Sequence, residues 1–298
     1  MKPDPAIIGP RGRPMPLVKE RHVLDTMLKA GQSVRTINLG LGAQDDDVPH
    51  IVLGHKVYPG VEAHLFTIAD SALWMPVFRE SGDVAIYRPT EFDKASSGTT
   101  LKKARSDAWL GLLTAFDQLT DLLKPYMKWV DQGTIPKVVW AHHETQWHLG
   151  LRDAPDHEPQ SVDEFLEYVD KSIRPFIREI NGLGFATKES CSGLLADHPD
   201  REPYRPYVMF DDRVYPDVSA HLFTLADIAQ WIPSDGPHGF DVMIQQSIGD
   251  DIPAAWSRLV LATRALSSML RQYRIVIKEK DTMFRAMRER REAPGSII

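Results

Sequence analysis

Apolar residues recur along this chain with two periods. Spacings of three and four put Val23, Leu24 and Met27 on one face of a helix predicted over residues 18–28, and they line up Trp109, Leu112, Leu113, Phe116, Leu119 and Leu123 on a longer one. The same period marks helices at 173–180 and 253–273. Short apolar runs rich in β-branched residues predict strands at 33–39, 50–57, 84–87, 186–190, 207–210 and 242–247. Two more helices are expected at 67–76 and 224–231. The first of these is opened by Thr67-x-x-Asp70 as a capping box, and the two are stopped by Pro76 and Pro233. A charged helix over 278–292 carries Met283, Phe284 and Met287 on one face, as a docking helix would.

The order of these elements is written twice. From Tyr58 to Pro76 against Tyr215 to Pro233, thirteen of nineteen positions are identical, including His, Phe, Trp, Tyr and Pro. The offset of 157 residues is the size of a domain and far longer than a solenoid repeat. Fainter matches extend it: Gly31 over Gly184, Gly40 over Gly193 and Trp109 over Trp256. The expected architecture is therefore α/β, with two tandem homologous α/β domains forming a pseudo-two-fold intramolecular dimer. A Pro-rich arm (1–16) precedes the first, degenerate repeat (17–129). A linker (130–160), the second, site-bearing repeat (161–275) and the C-terminal helix (276–298) follow.

Composition narrows the function classes. Hydrophobic residues make up 43% and charged residues 26% of 298 residues, and no apolar run approaches the ~18 residues that mark a membrane span. One cysteine, Cys191, excludes an intrachain disulfide framework. With no apolar signal core at the N-terminus, the cytoplasm is the expected compartment. The net charge of −6 gives no global attraction to nucleic acid, so tRNA contact would need a local patch, such as Arg288, Arg290 and Arg291. The expected partner is a small molecule, on a monomer or homodimer.

The repeats differ at one informative place. Lys188-Glu189-Ser190-Cys191-Ser192-Gly193 in the second stands where the first has Arg35-Thr36-Ile37-Asn38-Leu39-Gly40. A polar small-residue turn after a strand is where open α/β sheets collect ligands. Gly193 allows close backbone approach, Ser190 and Ser192 offer hydroxyls, and successive N–H groups there could cradle an anion. Cys191 is a candidate nucleophile if its pKa is lowered, and a packing residue otherwise. His64 and His221, shared by both repeats, are either core residues or general bases. His142, His143 and His148 form the densest imidazole cluster and are weak metal candidates, since no known ligand spacing is present.

The stretch VDKSIRPFIREINGLGFATKESCSG, within residues 169–194, resembles the wybutosine-synthesizing methyltransferase family, the third protein of that tRNA-modifying pathway. Thr187, Ser190, Cys191, Ser192 and Gly193 match the family's motif. Glu189 replaces a serine and Leu194 an arginine, which makes the pocket more negative. The resemblance implies an α/β enzyme that binds S-adenosylmethionine without a glycine-rich dinucleotide motif. Thr187, Ser190, Ser192 and Gly193 would bind the cofactor, and Glu189, Cys191 and His221 would be the catalytic candidates. A small-molecule-binding or regulatory protein, and a metal-dependent enzyme built on the 142–148 histidines, are the alternative readings.

Overall fold

The computed structural model describes residues 18–41, 48–54, 62–78, 83–89, 92, 98–131, 162–199, 205–210, 218–235, 242–246 and 251–279. The arm (1–16), most of the linker with the 142–148 histidines, and all but the start of the C-terminal helix lie outside them. The described chain is mixed α/β. Its first half runs α1 (Glu20–Lys29), β1 (Val34–Asn38), β2 (His50–Leu53), α2 (Glu62–Ser71), β3 (Met75–Phe78), β4 (Val84–Tyr87) and α3 (Gly98–Asp131). A short helix α4 (Val162–Glu167) then leads into α5 (Arg174–Gly182), β5 (Thr187–Cys191), β6 (Tyr207–Phe210), α6 (Val218–Ala229), β7 (Trp231–Asp235), β8 (Val242–Gln246), α7 (Ile252–Met269) and α8 (Arg271–Glu279).

Each half holds one four-stranded sheet, ordered β1-β2-β4-β3 and β5-β6-β8-β7, and every pairing is antiparallel. In each, the chain leaves the second strand, crosses by a helix and returns on the far edge, and the fourth strand fills the gap. Both first strands slip register at the same place, between Val34 and Thr36 and between Thr187 and Glu189. Among the described residues every strand pair is antiparallel, so the rule that places ligands at the carboxyl ends of parallel strands does not govern these sheets.

The crossover helices correct two expectations. Thr67 does not cap a helix: α2 already runs from Glu62, and the Thr67 hydroxyl donates back to the Ala63 carbonyl at 3.2 Å. Pro76 and Pro233 do not stop helices either. They sit inside β3 and β7, edge strands, where a missing N–H costs no ladder bond. The helices end instead at left-handed residues, Leu73 (φ 60°) and Gln230 (φ 58°), again 157 apart. The long helix expected over 253–273 breaks at Leu270 into α7 and α8, whereas α3 runs unbroken past Pro125.

The apolar stripes of α3 and α7 are buried, α3 against α1, α2 and α6, and α7 against α5 and α6. Trp109, Leu112, Phe116, Leu119 and Tyr126 are buried on α3, as are Trp256, Leu259 and Leu266 on α7 and Tyr273 on α8. Asp251 caps α7, accepting from the Ala254 N–H at 3.4 Å, with Pro253 in the first turn. Two tryptophan pairs lock helix to sheet. Trp74 lies edge-on to Trp109 (4.7 Å, 62°), and Trp231 to Trp256 (5.1 Å, 72°). Their indoles donate to equivalent carbonyls: Trp74 to Ala108 and Trp231 to Ala255, both at 3.2 Å. The two cores interlock, since Met75 belongs to the second and Ile228 packs against both. Among the described residues, no helix is long and apolar enough to cross a membrane.

Candidate functional site

The last residue of β5, Cys191, faces away from the core that holds Val208 and Phe210. It shares that outer face with its cross-strand partner Tyr207 and with Glu189. The turn that follows is rigid for local reasons. Gly193 takes a left-handed conformation (φ 71°), the Leu194 N–H donates to Ser192 Oγ at 3.1 Å, and Trp256 donates its indole N–H to the Ser192 carbonyl at 3.3 Å.

Two loops bring charge to this turn. Asp170 stands between α4 and α5, where Arg174 braces the chain by donating to the Val169 and Glu167 carbonyls at 2.9 and 3.0 Å. Its Oδ2 accepts from the Ser192 N–H at 2.7 Å and from His198 Nε2 at 2.9 Å. The same His198 nitrogen lies 3.4 Å from Cys191 Sγ. Asp197 accepts from the Ser172 hydroxyl, and Glu189 from the Tyr207 hydroxyl. Burial pushes the Asp197 carboxyl up, but the hydrogen bonds from Ser172 and Ser192 and the neighbouring His198 outweigh it and leave the group below its usual range.

The chemistry of Cys191 follows from these surroundings. Burial pushes its thiol up. The Gly193 N–H pulls the other way, and Asp170, Asp197 and Glu189 add to the rise. An isolated Cys191 is therefore a thiol at neutral pH, which removes the activation a nucleophile needs. A relay of the protease kind is absent too, because such a histidine uses one ring nitrogen for the sulfur and the other for the carboxylate. Here Nε2 faces both. Tyr207 is held as a phenol, pushed up by its burial and by Glu189.

The anion cradle expected at 190–193 is not formed. The N–H groups of Ser192, Gly193 and Leu194 are taken by Asp170, Cys191 and Ser192 Oγ, and carboxylates surround them. Ser192 is fully buried, and Ser190 faces inward with Val208, its hydroxyl buried without a hydrogen-bond partner among the described residues. Thr187 is also structural: its hydroxyl and N–H are both engaged by the Asn181 side chain, at 2.7 and 3.1 Å, which clamps β5 to α5. Of the candidates from the resemblance, Glu189, Cys191 and Gly193 are the ones that frame the acidic cluster. Asp170 and His198 were not singled out from the sequence. Their separation from Cys191, 21 residues before and 7 after, belongs to no familiar signature.

His221 lies elsewhere, on the core side of the sheet. On α2, His64, Thr67 and Asp70 face Asp227, Thr224 and His221 on α6, all buried. His64 Nε2 meets Asp227 at 2.8 Å, His221 Nε2 meets Asp70 at 3.0 Å, and the two threonine hydroxyls share a bond of 2.8 Å between them. Each imidazole is edge-on to a tyrosine, His64 to Tyr126 and His221 to Tyr273. Burial pushes His64 down to about 3, despite the carboxylate beside it, so a neutral ring donates Nε2–H to Asp227.

No protein-family model, curated protein or solved structure matches the chain.

Proposed function

We propose that the chain is a duplicated molecule whose halves meet about an approximate two-fold axis, and that the second half binds S-adenosylmethionine and transfers its methyl group. The duplication rests on more than the repeated sequence. Strand order, register slips, left-handed turn residues and tryptophan pairs recur at matched positions. The reciprocal bonds His64–Asp227 and His221–Asp70, with Thr67 on Thr224 between them, are the self-complementary pattern of an isologous contact.

The observation that carries the site reading is the acidic outer face of the second sheet, where Asp170, Glu189 and Asp197 all act on Cys191. S-adenosylmethionine carries a sulfonium and an ammonium group, both cations that suit such a face. Gly193 would admit the cofactor close to the backbone, and Glu189 would accept from its ribose hydroxyls. Methyl transfer then needs chiefly orientation of an acceptor against the sulfonium.

A thermal-shift titration tests this. S-adenosylmethionine at 100 times its dissociation constant should add ~2.7 kcal/mol of stability. S-adenosylhomocysteine, which lacks the sulfonium charge, should bind more weakly, and Glu189→Gln should narrow the difference. Equal affinity for the two ligands would remove the electrostatic basis, and no stabilisation by either would end the transferase reading.

A further inference from the structure

The geometry points to a site for one divalent transition-metal ion, zinc by its chemistry, held by Asp170, Cys191 and His198 and independent of the methyl-transfer reading. The three donor atoms, Asp170 Oδ2, Cys191 Sγ and His198 Nε2, all lie within 4.8 Å of one another. One ring nitrogen addresses both partners, at 2.9 Å to the carboxylate and 3.4 Å to the sulfur. A single N–H proton cannot point well at two acceptors, whereas a cation in its place satisfies all three donors at once. A tetrahedral zinc sets sulfur and nitrogen about 3.6 Å apart, and nitrogen and oxygen about 3.3 Å apart. Slight opening of the cluster admits the ion.

The donor set selects the metal. Thiolate, imidazole and carboxylate together suit zinc, and magnesium and calcium prefer all-oxygen cages. Three protein ligands leave a fourth position for water, the pattern of an open rather than a structural zinc site. The surroundings agree: Asp197 and Glu189 add negative charge, and the Ser192 N–H orients the Asp170 carboxylate. The His198 and Asp170 side chains are 24% and 16% exposed, so solvent reaches the ligands. Binding replaces the Cys191 thiol proton, which leaves to solvent. The first half offers no counterpart for the sulfur, because Asn38 occupies that place and accepts from the Gly40 N–H at 2.9 Å.

Cobalt reports on this directly. The full chain, stripped with chelator, is titrated with Co²⁺. The expected result is one ion per chain, with a thiolate-to-cobalt absorption band in the near ultraviolet that zinc abolishes. Cys191→Ser should lose that band. His198→Gln, on a partly exposed turn and checked for folding by circular dichroism, should weaken binding at least about tenfold. Cobalt binding that never shows the band, or a band that survives Cys191→Ser, would place the metal elsewhere and overturn the site. So would the absence of stoichiometric binding.

Discussion

The turn after β1 and the turn after β5 share a backbone and differ in chemistry. In both, a left-handed glycine (Gly40, φ 61°; Gly193, φ 71°) follows the strand, and a buried tryptophan donates to the carbonyl just before it, Trp109 to Leu39 and Trp256 to Ser192. In both, the last strand residue accepts from the glycine N–H, through Asn38 Oδ1 in one and Cys191 Sγ in the other. Yet the first turn receives a buried guanidinium, with Arg105 donating to the Gly40 carbonyl at 2.7 Å, while the second gathers three carboxylates and an imidazole. The shape of the turn belongs to the backbone and the tryptophan. Its charge belongs to a few side chains that are free to change. The two turns therefore differ in side-chain chemistry while keeping one backbone form.

The largest test of this likeness is a pair of substitutions. Trp109→Ala and Trp256→Ala each remove a fully buried indole and its hydrogen bond, and each should cost ~3–5 kcal/mol in urea denaturation. Similar costs are expected if the halves share one core design. Metal and cofactor binding at subsaturating ligand should fall in Trp256→Ala and stay near normal in Trp109→Ala. A cheap substitution at either position would break the comparison at its base.

A smaller effect sharpens the contact between the halves. An unfolded imidazole takes up a proton near pH 6.5, whereas buried His64 resists protonation down to about 3. Between those values the unfolded state binds more protons, so stability is complete above the window and falls as the pH is lowered through it. From pH 7 to 5 this amounts to about 2 kcal/mol. Urea midpoints at pH 7 and pH 5 should show that loss in the natural chain and a reduced loss in His64→Gln. An unchanged pH dependence in the variant would mean that His64 is not held neutral. The same substitution at His221 asks whether the reciprocal pair behaves alike.

The smallest effect separates the two helix ends. Leu73 and Gln230 occupy left-handed backbone that costs a side-chain-bearing residue ~1–2 kcal/mol. Gln230→Gly should stabilise by about 0.5–1 kcal/mol once the entropy of glycine is set against it. Leu73→Gly should be near neutral, because Leu73 also packs against the second core. A melting temperature that falls in Gln230→Gly would show that its side chain does more than fill a turn.

Much of the fold was legible in the sequence, because periodicity and repetition are local properties. The stripe from Trp109 to Leu123 and the strands at 84–87 and 207–210 follow from spacing alone. So does the mixed α/β class. The ends of α2 and α6 did not, because Thr67-x-x-Asp70 satisfies a capping pattern while its side chains answer to α6, 157 residues away. The prolines misled for a similar reason: an edge strand tolerates what a helix does not, and which strand lies at the edge is a property of the sheet. The candidate site divides the same way. The residues Glu189 to Gly193 stood out as a polar turn, but Glu189 to Cys191 belong to β5 itself, and the turn begins at Ser192. Only the tertiary structure decided that Ser190 turns inward, that His221 belongs to a buried pair, and that Asp170 and His198 converge on Cys191. Those outcomes depend on which face of a sheet is covered and which loops meet above it, and the forces that decide both act between segments far apart in the chain.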